Sequence, residues 1–108
     1  MQMRITTYRT LGILLLSSAM TSLAQSPGAD TYKAKCAMCH GADGLGETPA
    51  GKSTKAHPFN SPDVVSMSDA DLIAITTNGK AKMPAYKGKL TDAQVKDVVA
   101  YVRTLQKK

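Results

Sequence analysis

The chain of 108 residues has no tryptophan, a single phenylalanine, two histidines and two cysteines. Two cysteines cannot supply the disulfide framework that holds many small exported domains together. Its longest apolar run, from Leu11 to about Met20, falls well short of the roughly 20 residues that a bilayer span requires. No strand-like alternation, internal repeat or low-complexity segment occurs, which leaves helices as the regular structure. Acidic side chains are also scarce: eight stand against fourteen basic ones, for a formal charge of +6.

The short apolar run has another use. Arg4 and Arg9 precede it, and Ser22-Leu23-Ala24 follows it, with small residues three before and one before a cut. Residues 1–24 therefore read as a secretory signal peptide, cleaved after Ala24. No cysteine lies near the cut, so neither a lipid anchor nor a retained membrane anchor is expected. The exported domain is then 25–108, with twelve basic and eight acidic residues and a formal charge of +4. So short a chain struggles to bury a sufficient core without a disulfide, metal or cofactor.

The second cysteine sits three residues after the first, in Cys36-Ala37-Met38-Cys39-His40. On a helix, residues i, i+3 and i+4 share one face, so both thiols and the imidazole project the same way. That arrangement suits one flat macrocycle. The thiols form thioethers to the two vinyl groups of a haem, and His40 reaches the iron from just beyond. A structural Cys36–Cys39 disulfide would close too small a loop to restrict the unfolded chain much. A redox dithiol wants a βαβ setting that the surrounding sequence lacks, and zinc wants more ligands than two cysteines and one histidine. Covalent haem is the reading the residues favour, and the haem would itself be the core.

Around this motif the chain alternates helix signals and turns. Ser26-Pro27 opens a first helix expected to reach about Cys39, with Gly28 and Tyr32 on the face that carries Cys36. From Gly41 to Asn60, five glycines and prolines at 41, 44, 46, 49 and 51, with Pro58 beyond them, predict a long irregular loop. A metal-bound histidine normally donates its second ring N–H to a carbonyl. Pro49, nine residues after His40, is the candidate acceptor, with Pro58 the alternative. His57, alone in a polar stretch, reads as solvated rather than as a second iron ligand. Phe59 is expected to anchor the loop's return to the core.

Ser61-Pro62 starts a short helix to about Val65, and Ser68 caps another that stops at Asn78-Gly79. Met83 then lies in a loop between helices, stiffened by Pro84, and its thioether is a soft ligand suited to haem iron. Met38, inside the attachment stretch, cannot fold back across the ring, and Met67 reads as core. The clearest helix runs from Thr91 to about Gln106. Thr91 and Gln94 match a capping box, and Val95, Val98, Val99, Val102 and Leu105 recur at helical spacing.

Taken in order, Cys36-Ala37-Met38-Cys39-His40-Gly41, Asn78-Gly79, Met83-Pro84-Ala85-Tyr86 and the terminal Asp97-Val98-Val99-Ala100-Tyr101-Val102 resemble a small single-haem class I cytochrome c of the bacterial periplasmic type. The resemblance covers the whole exported domain. It implies an all-α fold of three to five helices wrapped around one haem c, with the N- and C-terminal helices crossing at Gly28, Tyr32, Val98 and Tyr101. It implies His40 and Met83 as axial ligands, Cys36 and Cys39 as attachment points, and Pro49 and Tyr86 as further cofactor-binding residues. The function implied is electron transfer by Fe(III)/Fe(II) cycling in a soluble periplasmic monomer, without catalysis. Lys80, Lys82, Lys87 and Lys89 flank Met83 and would steer redox partners with acidic docking surfaces. Nucleic acid is not an expected partner of an exported, modestly basic haem domain.

Overall fold

The computed structural model describes Gly12 and residues 26–107. Apart from Gly12, the proposed signal peptide and its cleavage site lie outside the described residues. Six helical segments appear in order: α1 (Pro27–Lys35), α2 (Ala37–His40), α3 (Pro49–Thr54), α4 (Pro62–Val65), α5 (Asp69–Asn78) and α6 (Asp92–Leu105). Among the described residues there is no strand, only two isolated bridges, Lys80 with Met83 and Lys87 with Leu90. The all-α class expected from the sequence is the class observed.

Helix α6 forms where its pattern places it. The Thr91 hydroxyl accepts from the Gln94 N–H at 3.1 Å and the Gln94 side chain returns the bond to the Thr91 N–H at 2.9 Å, so the capping box closes both ways. All five apolar residues of its stripe are buried. Burying each valine contributes about 1.5–3 kcal/mol, which makes this face the main source of packing energy. Ser68 caps α5 by accepting from Asp71 N–H at 3.1 Å. Ser26 and Ser61, expected as caps in the same way, make no side-chain cap bond. The proline after each already presets the first turn and removes one orphan donor.

Helix α1 crosses α6 at Gly28. A side chain there would run into the carbonyl of Asp97, so glycine is what lets the two backbones touch. Tyr32, Cys36, Val98, Val102 and Leu105 form the core behind the crossing, with Ala37, Phe59 and Tyr101 packed against it. Tyr32 anchors the cluster, its ring 5.1 Å from that of Tyr101 and 6.2 Å from that of Phe59. Arg103 ties the other side of α6 to the turn before α5, bonding the Asp69 carboxylate at 2.9 Å and the Met67 carbonyl at 2.5 Å.

Two local differences from the sequence reading matter for the site. The first helix is interrupted at Cys36, whose φ and ψ are −117° and −33°, so that α1 and α2 are separate pieces. The stretch 41–60 is not wholly irregular, because α3 lies inside it. The signal for α3 was the same one that starts α1: a hydroxyl residue, Thr48, followed by proline.

Candidate haem site

Helix α2 carries Cys39 and His40, and Cys36 stands at its N-cap. A helix leaves its last four carbonyls without internal partners. Here each finds one. The Ala37 carbonyl takes Gly41 N–H at 2.8 Å and that of His40 takes Gly46 N–H at 2.9 Å. The Thr48 hydroxyl is shared between the carbonyls of Met38, at 2.7 Å, and Cys39, at 2.9 Å, while accepting from Gly51 N–H at 2.9 Å. The buried Tyr32 hydroxyl donates to the Gly41 carbonyl at 2.6 Å. Gly51 packs so closely on this turn that a Cβ there would strike the Cys39 carbonyl. The orientation of the two thiols and the imidazole is thus set by the backbone around them.

The His40 ring stacks on Phe59, centroids 4.5 Å apart and planes 24° from parallel. Phe59 also donates its N–H to the Gly44 carbonyl at 2.9 Å, so it does close the loop onto the core. Burial lowers the pKa of His40, and His57 pushes it the same way, which favours the neutral imidazole that can bind a metal. The His40 Nδ1 is buried and has no hydrogen-bond partner. Neither the Pro49 nor the Pro58 carbonyl meets it, contrary to the expectation from spacing. Pro49 is committed to the first turn of α3, where Thr48 caps the helix.

The remaining candidates fall in different places. His57 is exposed, as its polar surroundings suggested. Met38 is exposed to 77% and turns away from the core. Met67 is half-buried, its carbonyl held by Arg103. Met83 is half-buried in a tight turn, its N–H bonded to Lys80 O at 2.9 Å and its carbonyl to Lys80 N–H at 3.1 Å. Two links then bring this turn to the attachment side. The Tyr86 hydroxyl donates to the Lys35 carbonyl, beside Cys36, at 2.9 Å. The Lys82 ammonium reaches the Ser53 carbonyl of α3 at 3.3 Å.

The residues present fit a haem. Both cysteines are free thiols. Burial, then the neighbouring Cys39, pushes the Cys36 thiol up to about 11. Tyr86 is shifted upward as well, by burial first and then by Cys36 and Cys39. The core is complete on one side only. Where α1 meets α6, side chains such as Tyr32, Val98 and Leu105 are 2–3% exposed, whereas Leu45, Val64, Met67, Ile75, Met83 and Leu90 are only half-buried. A buried imidazole nitrogen without a protein partner and an unfinished apolar wall are what a large flat apolar group would complete.

Sequence reasoning missed Thr48, Gly51 and Arg103. Thr48 was legible as a helix cap before Pro49, but its second duty, to the carbonyls of Met38 and Cys39, depends on where α3 comes to rest.

An all-helical chain whose first and last helices cross beside a Cys-x-x-Cys-His turn defines a class, the small class I c-type cytochromes. The family described as "Cytochrome C oxidase, cbb3-type, subunit III" matches residues 24–102, and the chain belongs to this cytochrome c family. Its cofactor is haem c, covalently bound. The chain is 40% identical to cytochrome c6 of Nostoc sp. over 96 residues, covering 85% of this chain and 84% of that one. Cytochrome c6 of Leptolyngbya boryana is 39% identical over 77 residues, 69% of this chain and 85% of that one. The cbb3-type cytochrome c oxidase subunit CcoP of Azospirillum brasilense is 34% identical over 86% of this chain, which spans only 32% of that subunit. Among solved structures, a c-type cytochrome, KustC0563, superposes with a TM-score of 0.68 at 32% identity, over 73% of this chain and 96% of that one.

Proposed function

We propose that the protein is a one-electron carrier whose haem is attached through Cys36 and Cys39 and ligated by His40 and Met83. The observation that carries this reading is the convergence of the two ligand-bearing stretches: the Met83 turn is bonded to the residue before Cys36 and to α3, which cradles His40's helix. The bound haem supplies the Fe(III)/Fe(II) couple. The chain's part is to hold and to exclude. Cys36 and Cys39 would hold the haem as thioethers, each S–H added across one vinyl group, His40 would offer a neutral ring nitrogen, and Met83 would offer a neutral thioether that favours the reduced state relative to a second imidazole. With His40 and Met83 both holding the haem iron, none of its sites would be left for a substrate, and no bond in a partner would be made or broken.

Exposed lysines set the approach of partners. Lys80, Lys82, Lys87 and Lys89 lie on or beside the Met83 turn, and the Tyr86 and Lys82 bonds bring Lys35 and Lys52 near them. Such a basic surface steers acidic redox proteins. Replacing Lys80, Lys82, Lys87 and Lys89 by glutamine should slow transfer to an acidic partner most at low ionic strength. Stopped-flow rates that fall equally at all salt concentrations would remove these lysines from the docking surface.

The proposal includes export. Residues 1–24 direct the chain out of the cytoplasm, cleavage follows Ala24, and residues 25–108 act in the periplasm as a monomer. Among the described residues no helix is long and apolar enough to cross a membrane. Absorption spectra of the exported protein test ligation and redox activity together. Oxidised protein should show the weak far-red band of His/Met haem and be reduced reversibly, and carbon monoxide should not bind rapidly at neutral pH. Rapid carbon monoxide binding would mean an open iron and a ligand-binding protein instead.

A further inference from the structure

The break between α1 and α2 frees carbonyls at the end of α1, that of Lys35 among them. In a continuous helix the Cys39 N–H would bond to Lys35 O. Here it turns instead to the Cys36 carbonyl at 3.3 Å, which also takes the His40 N–H at 3.0 Å. The Lys35 carbonyl is left over, and it is this oxygen that the Tyr86 hydroxyl takes at 2.9 Å from 51 residues away.

Tyr86 is also the node of the loop it belongs to. Its N–H bonds to the Thr76 carbonyl at 3.1 Å, and the next N–H, of Lys87, bonds to that of Thr77 at 3.0 Å, both at the C-terminal turn of α5. Its carbonyl accepts from Lys89 at 2.9 Å and Leu90 at 3.0 Å. Its side chain is half-buried. Every other bond of Tyr86 stays within the 76–90 region. Only the hydroxyl crosses to the end of α1, next to the attachment motif.

We infer that Tyr86 is a latch: its hydroxyl, seated on the carbonyl released by the helix break at Cys36, couples the Met83 turn to the attachment helix. Tyr86 is a positioning residue in this role, acting on Met83 three residues before it. The inference rests on the ligation by His40 and Met83 proposed above. A movement that carries Tyr86 away with the Met83 turn breaks the Tyr86–Lys35 bond, so the bond would hold Met83 where it can bind the haem. It also makes the break at Cys36 part of the site, because an unbroken helix would keep that carbonyl for itself.

Tyr86→Phe keeps the ring and removes only the hydroxyl. In the oxidised, haem-loaded protein, imidazole displaces Met83, and the loss of the far-red band reads its affinity. One neutral hydrogen bond is worth a factor of about five in such an equilibrium. Tyr86→Phe should therefore bind imidazole about fivefold more tightly, with Tyr101→Phe, at the α1–α6 crossing, as a control that stays at the wild-type value. Equal affinity in Tyr86→Phe and wild type overturns the latch. Should Tyr86→Phe fail to yield folded protein, hydrogen exchange on the wild type decides. The amides of Met83, Tyr86 and Lys87 should open together with those of Cys39 and His40, and loop amides that exchange far faster than the helix amides would overturn the coupling. A wild type without any far-red band would refute the His40/Met83 ligation instead, and the exchange experiment would still test the latch.

Discussion

Around Cys36–His40 each backbone carbonyl from Ala37 to Gly41 has a partner, drawn from α1, α3 and the loop between α2 and α3. Around Met83 the backbone closes mainly on itself, through the paired Lys80 and Met83 bonds, and reaches the rest of the protein through α5, Lys82 and the Tyr86 hydroxyl. The attachment side also adjoins the complete core at Tyr32, while Met83 belongs to the half-buried wall. The difference suits the two ligands. His40 belongs to the helix that the thioethers tether and needs one fixed orientation. Met83, on the proposed ligation, would be a non-covalent ligand on a turn held by a few identifiable bonds, and the one that competing molecules would displace.

Removing the weaker ligand should have the largest effect. Met83→Ala should abolish the far-red band, lower the reduction potential and open the iron to carbon monoxide, with helix content by circular dichroism little changed. A band that survives would shift the ligand role to Met67. Next comes the reactivity of the buried thiol. With Cys36 pushed up from 9 to about 11, its thiolate fraction at pH 8 falls about a hundredfold, and only the thiolate is a nucleophile. In the haem-free chain Cys36 should alkylate that much more slowly than in the same chain in urea, gaining about tenfold per pH unit up to pH 11. The sign for stability follows: between pH 9 and 11 the unfolded chain binds fewer protons than the folded one, so stability falls as pH rises through that window. Equal alkylation rates would show that the core around Cys36 forms only with its haem.

On the attachment side, Gly51→Ala should cost about 3 kcal/mol, because the new methyl meets the Cys39 backbone rather than a flexible side chain. Chemical denaturation of the haem protein measures it, and a neutral result would mean that α3 can retreat without disturbing α2. The smallest effect is expected on the Met83 turn. Ala81 has φ of +52°, a left-handed conformation that costs a non-glycine residue about 1–2 kcal/mol. Ala81→Gly relieves this but gives up chain entropy in the unfolded state, so the stability gain should stay below about 1 kcal/mol. A gain comparable to the Gly51→Ala loss would mean that the turn is under more strain than the backbone angle implies.

Much of the helical frame was legible because its causes are local. The capping box at Thr91 and Gln94, the apolar stripe of α6 and the serine at Ser68 act within a few residues of themselves. The small residue at Gly28 was legible as an invitation to close contact, and Asp97 across from it confirms the reason. The loop was less legible. Thr48-Pro49 repeats the signature that starts α1, yet among so many glycines and prolines it read as punctuation. Spacing and the family resemblance place Pro49 within reach of His40, but neither says where the start of α3 turns that residue, and His40 Nδ1 has no partner.

The sequence by itself determined the chemistry: two thiols and an imidazole on one helical turn, a thioether ahead of a proline, and an all-helical chain of the cytochrome c family. Those follow from residue type and short-range periodicity, which the backbone enforces locally. Only the tertiary structure decided that Thr48 would satisfy the carbonyls of Met38 and Cys39, that the helix would break at Cys36, and that Tyr86 would take the oxygen the break releases. The Thr48 and Tyr86 contacts are hydrogen bonds between groups 9 to 51 residues apart. Which donor fills a freed carbonyl depends on the packing of whole helices, and no local pattern encodes it.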